Sequence, residues 1–173
     1  MKTVLKKISW YVVLLSSMLF FIDFITKYLT QKYILPIAYS SIHFPFGGIA
    51  VFQDFLGIDF SINYLSNTGA AWGIFSQFPI ILMSFRIACV LGMGIYLLFF
   101  NKNVLLIWPF SLIIVGAVGN IIDYFIYGYV IDMLKFEFWG YHYPIFNFAD
   151  TYICIGMLWL VIDSIFIKRK TIK

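Results

Sequence analysis

Charged side chains are scarce in this chain: they make up 12% of its 173 residues, against 62% hydrophobic residues. A soluble domain carries about 25% charged residues, so this balance, with a mean hydropathy of +0.93, excludes that class and points to an integral membrane protein. Cysteine is nearly absent. Cys89 and Cys154 lie in different apolar runs, which excludes a disulfide framework and leaves them as small apolar fillers. The two histidines, His43 and His142, have no ligand spacing to cysteines or acids, so neither a metal nor any other cofactor is expected. The net charge of +4 is gathered toward the ends of the chain rather than on one face, which argues against nucleic acid as a partner. Mid-span positions are overwhelmingly apolar, where an ion or proton carrier needs polar residues along a path.

What is present is a set of long apolar runs. A membrane helix needs about 20 residues. Stretches meeting that need cover about 8–24, 78–100, 104–126 and 146–167, with external loops about 28–77 and 127–145. The fold class expected is mainly α and membrane-integral: four transmembrane helices with a small extracytoplasmic sheet and loop region, in a single membrane-embedded domain over 1–173. The first run follows Lys2, Lys6 and Lys7 as a secretory signal would. However, Asp23 and Lys27 occupy the place of a small-residue cleavage site, so it reads as a retained helix.

With an even number of spans, both termini share a side with the Asn101-Lys102-Asn103 turn. That side collects Lys2, Lys6, Lys7, Lys102, Lys168, Arg169, Lys170 and Lys173, against Lys27, Lys32 and Lys135 opposite. The positive-inside rule makes it cytoplasmic. Within the first external region Ile58, Phe60, Ile62 and Tyr64 alternate with Asp59, Ser61 and Asn63, the period of a half-buried strand. This predicts a short sheet on the membrane surface.

Two aspartates stand at the outer rims of apolar runs. Asp123 ends Gly119-Asn120-Ile121-Ile122-Asp123, and Asp150 ends Phe146-Asn147-Phe148-Ala149-Asp150. A carboxylate so placed is costly and marks a functional or paired group. Counted back from the inner boundary at 1.5 Å per residue, Asp123 lies about 30 Å and Asp150 roughly 27 Å away, which places both at the outer boundary. Two facing aspartates share a proton, so one can accept a proton from water while the other donates to a carbonyl. Asp123 and Asp150 are therefore the expected dyad.

Several separated motifs resemble signal peptidase II, the lipoprotein signal peptidase of bacterial membranes. They are Asp23-Phe24-Ile25-Thr26-Lys27; the run Asn67-Thr68-Gly69-Ala70-Ala71-Trp72-Gly73; Gly116 to Asp123; Gly128-Tyr129-Val130-Ile131-Asp132; and Phe146 to Asp150. The resemblance implies a membrane aspartyl endopeptidase of the bacterial inner membrane. Such an enzyme cleaves before the diacylglyceryl-modified cysteine of prolipoproteins, near the outer face and without a cofactor. It implies catalytic roles for Asp123 and Asp150, and substrate-binding or supporting roles for Asp23, Lys27, Asn67, Gly69, Gly119, Asn120, Asp132 and Asn147. Asp132, outside the spans, is expected to organise the external loop. Cyclic peptides of the globomycin type are expected inhibitors, and a monomer is expected. One departure stands out: Tyr124 occupies the position where the family usually has arginine. Arg86, a basic residue within a span, either partly substitutes for it or makes a local ion pair or hydrogen bonds to helix carbonyls.

Overall fold

The structure, a computed structural model, describes residues 10–37, 48–69 and 75–171, with side chains as far as residue 165. Lys2, Lys6, Lys7, His43, Ala70, Ala71, Trp72, Gly73 and Lys173, and the side chains of Lys168, Arg169 and Lys170, lie outside the described residues.

Among the described residues, four helices are long and apolar enough to cross a membrane. Helix α1 is Trp10–Tyr33, α2 is Pro79–Ile95, α3 is Ile107–Tyr127 and α4 is Phe148–Thr171. A π-turn, Tyr96–Phe100, extends α2, and the 3-10 turn Val104–Leu106 leads into α3. An antiparallel sheet in the order β1-β2-β3-β4 completes the fold, from Gly48–Phe55, Ile58–Asn67, Val130–Phe138 and Tyr141–His142. This is the mainly helical, sheet-capped architecture expected from the apolar runs.

The helices bury polarity and expose apolar surface, the arrangement a lipid solvent demands. In α1 the buried residues are Val12, Asp23, Lys27 and Thr30, whereas Leu14, Met18, Phe21 and Ile25 are exposed. This explains why α1 continues to Tyr33 although its apolar run ends near Phe24. Asp23 and Lys27 face the protein interior, so their charge does not end the helix.

Helix α3 carries Gly116, Gly119, Asn120 and Asp123 at i, i+3, i+4 and i+7, a single helical face, and all four are buried. The glycines let neighbours approach closely. A Cβ on Gly116 would meet the Ala149 carbonyl oxygen at 2.3 Å, and one on Gly119 would meet Asp23 Oδ2 at 2.7 Å. Gly116→Ala is therefore expected to lower stability by about 1–3 kcal/mol through overpacking against backbone, read as a lower midpoint in thermal unfolding of the detergent-solubilised protein.

The turn after α3 aims the sheet. Gly128 takes the left-handed conformation, φ 81°, and its N–H caps the Tyr124 carbonyl. The chain then turns into β3, which pairs with β2 from Asn67↔Val130 to Ile58↔Phe138. Residue Phe146 joins the sheet as an isolated bridge to Leu134, tying the start of α4 to β3. The 127–145 segment, read as a loop, is thus largely sheet. The sheet's apolar face stacks rings: Phe60 lies 4.4 Å from Phe136 and 5.6 Å from Phe52 between centroids. Burial differs from the sequence expectation. In β2 it is Ser61, Asn63 and Tyr64 that are buried: the polar side faces inward, and the two consecutive buried residues Asn63 and Tyr64 fall where the β2–β3 register breaks between Ile62 and Leu65.

Candidate functional site

The site lies where the outer ends of α1, α3 and α4 meet β3. Asn147 precedes α4 and caps it: its Oδ1 accepts from the Asp150 N–H at 2.9 Å, while Asp150 Oδ2 accepts from the Asn147 N–H at 3.3 Å. This reciprocal pattern is a capping box, and it fixes both side chains at the positive end of the helix dipole. With its oxygen held by the cap, the Asn147 amide must turn its NH2 away. That NH2 donates to Asp132 Oδ1 at 2.7 Å, and to the Ile131 carbonyl and Asn120 Oδ1 at 3.3 Å each. Asn67 Nδ2 donates to the other oxygen, Asp132 Oδ2, at 2.8 Å, and Asn67 Oδ1 accepts from the Gly69 N–H at 2.9 Å.

A second buried cluster adjoins the first. Lys27 Nζ lies 2.7 Å from Asp23 Oδ2, 2.9 Å from Asp123 Oδ2 and 2.9 Å from Asn120 Oδ1. Those contacts use all three ammonium donors. Asp23 Oδ1 also accepts from the Ala149 N–H at 2.8 Å, satisfying an otherwise free donor in the first turn of α4. Asp123 Oδ2 accepts a longer bond from the Ile131 N–H, 3.3 Å. Asn120 spans the two clusters, with its Nδ2 donating to Asp150 Oδ1 at 2.8 Å. Among the described residues no buried side-chain polar atom lacks a partner.

A cavity of about 530 Å³ opens on one of these clusters only. Its walls hold Asn67, Gly69, Arg86, Asn120, Asp132 and Asp150 on the polar side, with Ile153, Cys154 and Met157 continuing along α4. Arg86 Nη2 donates to the Gly69 carbonyl at 3.1 Å, and its charge acts on both Asp150 and Asp132.

This geometry revises the pairing expected from sequence. Asp123 is held by Lys27 and does not line the cavity, whereas Asp132 shares that cavity with Asp150. The physical reason is topological. Gly128 reverses the chain, and the Phe146 bridge brings β3 against the start of α4, so Asp132 arrives beside Asp150 while Asp123 stays on the α1-facing side of α3. The signal for Asp132 was present: it is an acid inside the apolar stretch Val130-Ile131-Asp132-Met133-Leu134, of which the first four residues are all buried.

Asp132 is 1% exposed. Burial first, then the charge of Asp150, push its carboxyl up to about 7, against the hydrogen bonds of Asn67 and Asn147 and the Lys27 charge. A carboxyl raised on folding binds more protons in the native state than in the unfolded one. The contribution of Asp132 to stability is therefore most favourable below the ordinary carboxylate range and is lost as pH rises through about 7. Replacing it with asparagine is expected to flatten the fall in melting temperature between about pH 4 and pH 7, the interval between its unfolded and folded values. Parallel melting curves over pH for both proteins check this.

A family model described as Signal peptidase (SPase) II matches residues 15–166. The chain is 44% identical over 117 residues to a lipoprotein signal peptidase of Clostridium tetani, spanning 66% of this chain and 72% of that protein. It is 38% identical over 148 residues to one from Thermodesulfovibrio yellowstonii, spanning 83% and 87%. Among solved structures, a bacterial membrane enzyme determined at 2.3 Å resolution superposes with a TM-score of 0.75 at 24% identity, covering 91% of this chain and 89% of that one. The last likeness speaks to the fold alone.

Proposed function

Since this chain belongs to the signal peptidase II family, and is thus a membrane aspartic peptidase that removes signal peptides from prolipoproteins, we propose that Asp132 and Asp150 form its catalytic dyad. The observation that carries this assignment is the shared cavity: the two carboxyls open on one space, each held by oriented amides, while Asp123 is occupied by Lys27.

Asp150 takes the carboxylate role, because two N–H donors and the helix N-terminus favour negative charge there. Asp132 carries the shared proton. In the first step Asp150 takes a proton from a water as its oxygen bonds to the scissile carbonyl carbon, and Asp132 gives its proton to the carbonyl oxygen. In the second, a proton returns from the diol to Asp132, the C–N bond breaks and Asp150 protonates the departing amine. No covalent enzyme intermediate is needed. Arg86, at the cavity wall, supplies the positive charge that Tyr124 lacks.

The scissile bond is the one preceding a diacylglyceryl-modified cysteine. The exposed apolar wall of Ile153, Cys154 and Met157 leads from the dyad into the lipid-facing surface of α4, a route suited to acyl chains or the apolar signal segment. Both termini face the cytoplasm and the dyad lies toward the outer face, a placement supported by the asymmetry of basic residues. The protein acts as a monomer within the single domain, and cyclic peptides of the globomycin type compete for the cavity. A diacylglyceryl-cysteine peptide presented beside its unlipidated twin tests the substrate class. Preferential cleavage of the lipidated peptide is expected, and equal cleavage of both would remove the lipoprotein specificity.

A further inference from the structure

Building on the dyad reading, we infer that Lys27 is a positioning residue for the reaction, acting on Asp150 through the orientation of the Asn120 amide. An asparagine amide has one accepting and one donating end, and a rotation exchanges them. Lys27 is an obligate donor, so its 2.9 Å contact fixes the Asn120 oxygen toward α1. The Asn120 NH2 is thereby turned to Asp150 Oδ1, at 2.8 Å. In the reverse orientation, a carbonyl oxygen would face the Asp150 carboxylate and an NH2 would face an ammonium, two repulsive contacts at once. The weaker bond from Asn147 Nδ2 to Asn120 Oδ1, 3.3 Å, selects the same orientation.

This gives the buried acids a purpose that catalysis does not. Lys27 is 1% exposed, and an isolated ammonium so buried is strongly disfavoured. Asp23 and Asp123 flank it and keep it charged and fixed. The chain of contacts runs from two carboxylates to one ammonium, to one amide, to one reacting carboxylate. Around Asp150 the charged or titratable neighbours are Asp132 from β3, Arg86 from α2, Asp23 and Lys27 from α1, and Cys154 from its own helix, with Asp123 of α3 behind Lys27. Of these charged neighbours Lys27 is the one that donates to Asn120, so its removal leaves the amide held only by the longer bond from Asn147 Nδ2.

The test is a double-mutant cycle on the purified protein with a diacylglyceryl-cysteine peptide, followed as kcat, KM and the acid limb of the pH–rate profile. Lys27→Met is expected to lower kcat by about tenfold or more, the worth of a hydrogen bond to a charged group, with little change in KM. The acid limb moves to higher pH. In an Asn120→Leu background, Lys27→Met is expected to change neither further. An undiminished Lys27→Met effect in that background, or an acid limb that stays in place, overturns the inference.

Lys27→Gln covers the case in which Lys27→Met does not fold. Its amide can donate to Asn120 Oδ1 without charge, so the acid limb is expected to stay where it is. A shift there would show that charge through space, not amide orientation, is what matters, and would also overturn the inference. Asp132→Asn and Asp150→Asn run alongside keep the two claims apart. Normal turnover by either protein sinks the dyad and the relay together, while their loss with an unmoved Lys27→Met limb sinks the relay alone.

Discussion

Asp150→Asn protein should cleave a lipid-modified precursor at least about 10³-fold more slowly than wild type, within the range set by losing a positioned acid–base group. Its melting temperature should stay close to that of the parent. An asparagine at this position has one accepting oxygen, so it keeps one of the two bonds, from the Asn147 N–H or from Asn120 Nδ2, while the other cap bond, from the N–H of residue 150 to Asn147 Oδ1, is untouched. What disappears is the capacity to hold the proton taken from water. Loss of turnover in a protein that melts normally separates chemistry from folding, and a parallel loss of both would instead make Asp150 a structural cap. A single-turnover assay with unfolding monitored on the same preparation reads both quantities.

The second large effect falls on stability. Lys27→Met removes the one cation between Asp23 and Asp123 and leaves two carboxylates buried with their shared partner gone. Removing one partner of a buried ion pair costs about 3–5 kcal/mol, since the remaining charge keeps its desolvation penalty. The melting temperature should therefore fall further than for any single change to the cavity wall. Adding Asp123→Asn should recover part of the loss, because one of the stranded charges is then removed. A second substitution that lowers the melting temperature further would show that Asp123 contributes something other than charge balance. Thermal unfolding of the three proteins in one detergent decides it.

The placement of these two clusters shows what the sequence carries and where it falls short. Apolar runs marked the four helices because lipid rewards unbroken apolar surface on every exposed side. Gly116, Gly119, Asn120 and Asp123 recur at helical spacing and share the buried face of α3. The alternation of β2 marked a strand, though its inward side turned out to be the polar one. Which acids meet was not legible. Lys27 and Asn120 are separated by 93 positions, and Asn67 and Asp132 by 65, and contacts of that range depend on helix crossing and strand register. Asp123 looked reactive because it ends an apolar run at the membrane rim, a property it shares with Asp150. Its neutralising partner lay on another helix. Asp132 looked peripheral because its strand, β3, was read as loop. Asn147 and Asp150, by contrast, stand at the N-cap and third-residue spacing of a capping box, so this half of the proposed site is held by contacts only three residues apart.

The account turns on which carboxyl partners Asp150. The most direct measurement is the turnover of a diacylglyceryl-cysteine peptide by Asp123→Asn protein relative to Asp132→Asn protein, both confirmed as folded. A ratio above about 100 is predicted, because in the proposed mechanism Asp132, and not Asp123, exchanges a proton with the substrate. An inactive Asp123→Asn protein beside an active Asp132→Asn protein would contradict it and return the reacting pair to Asp123 and Asp150.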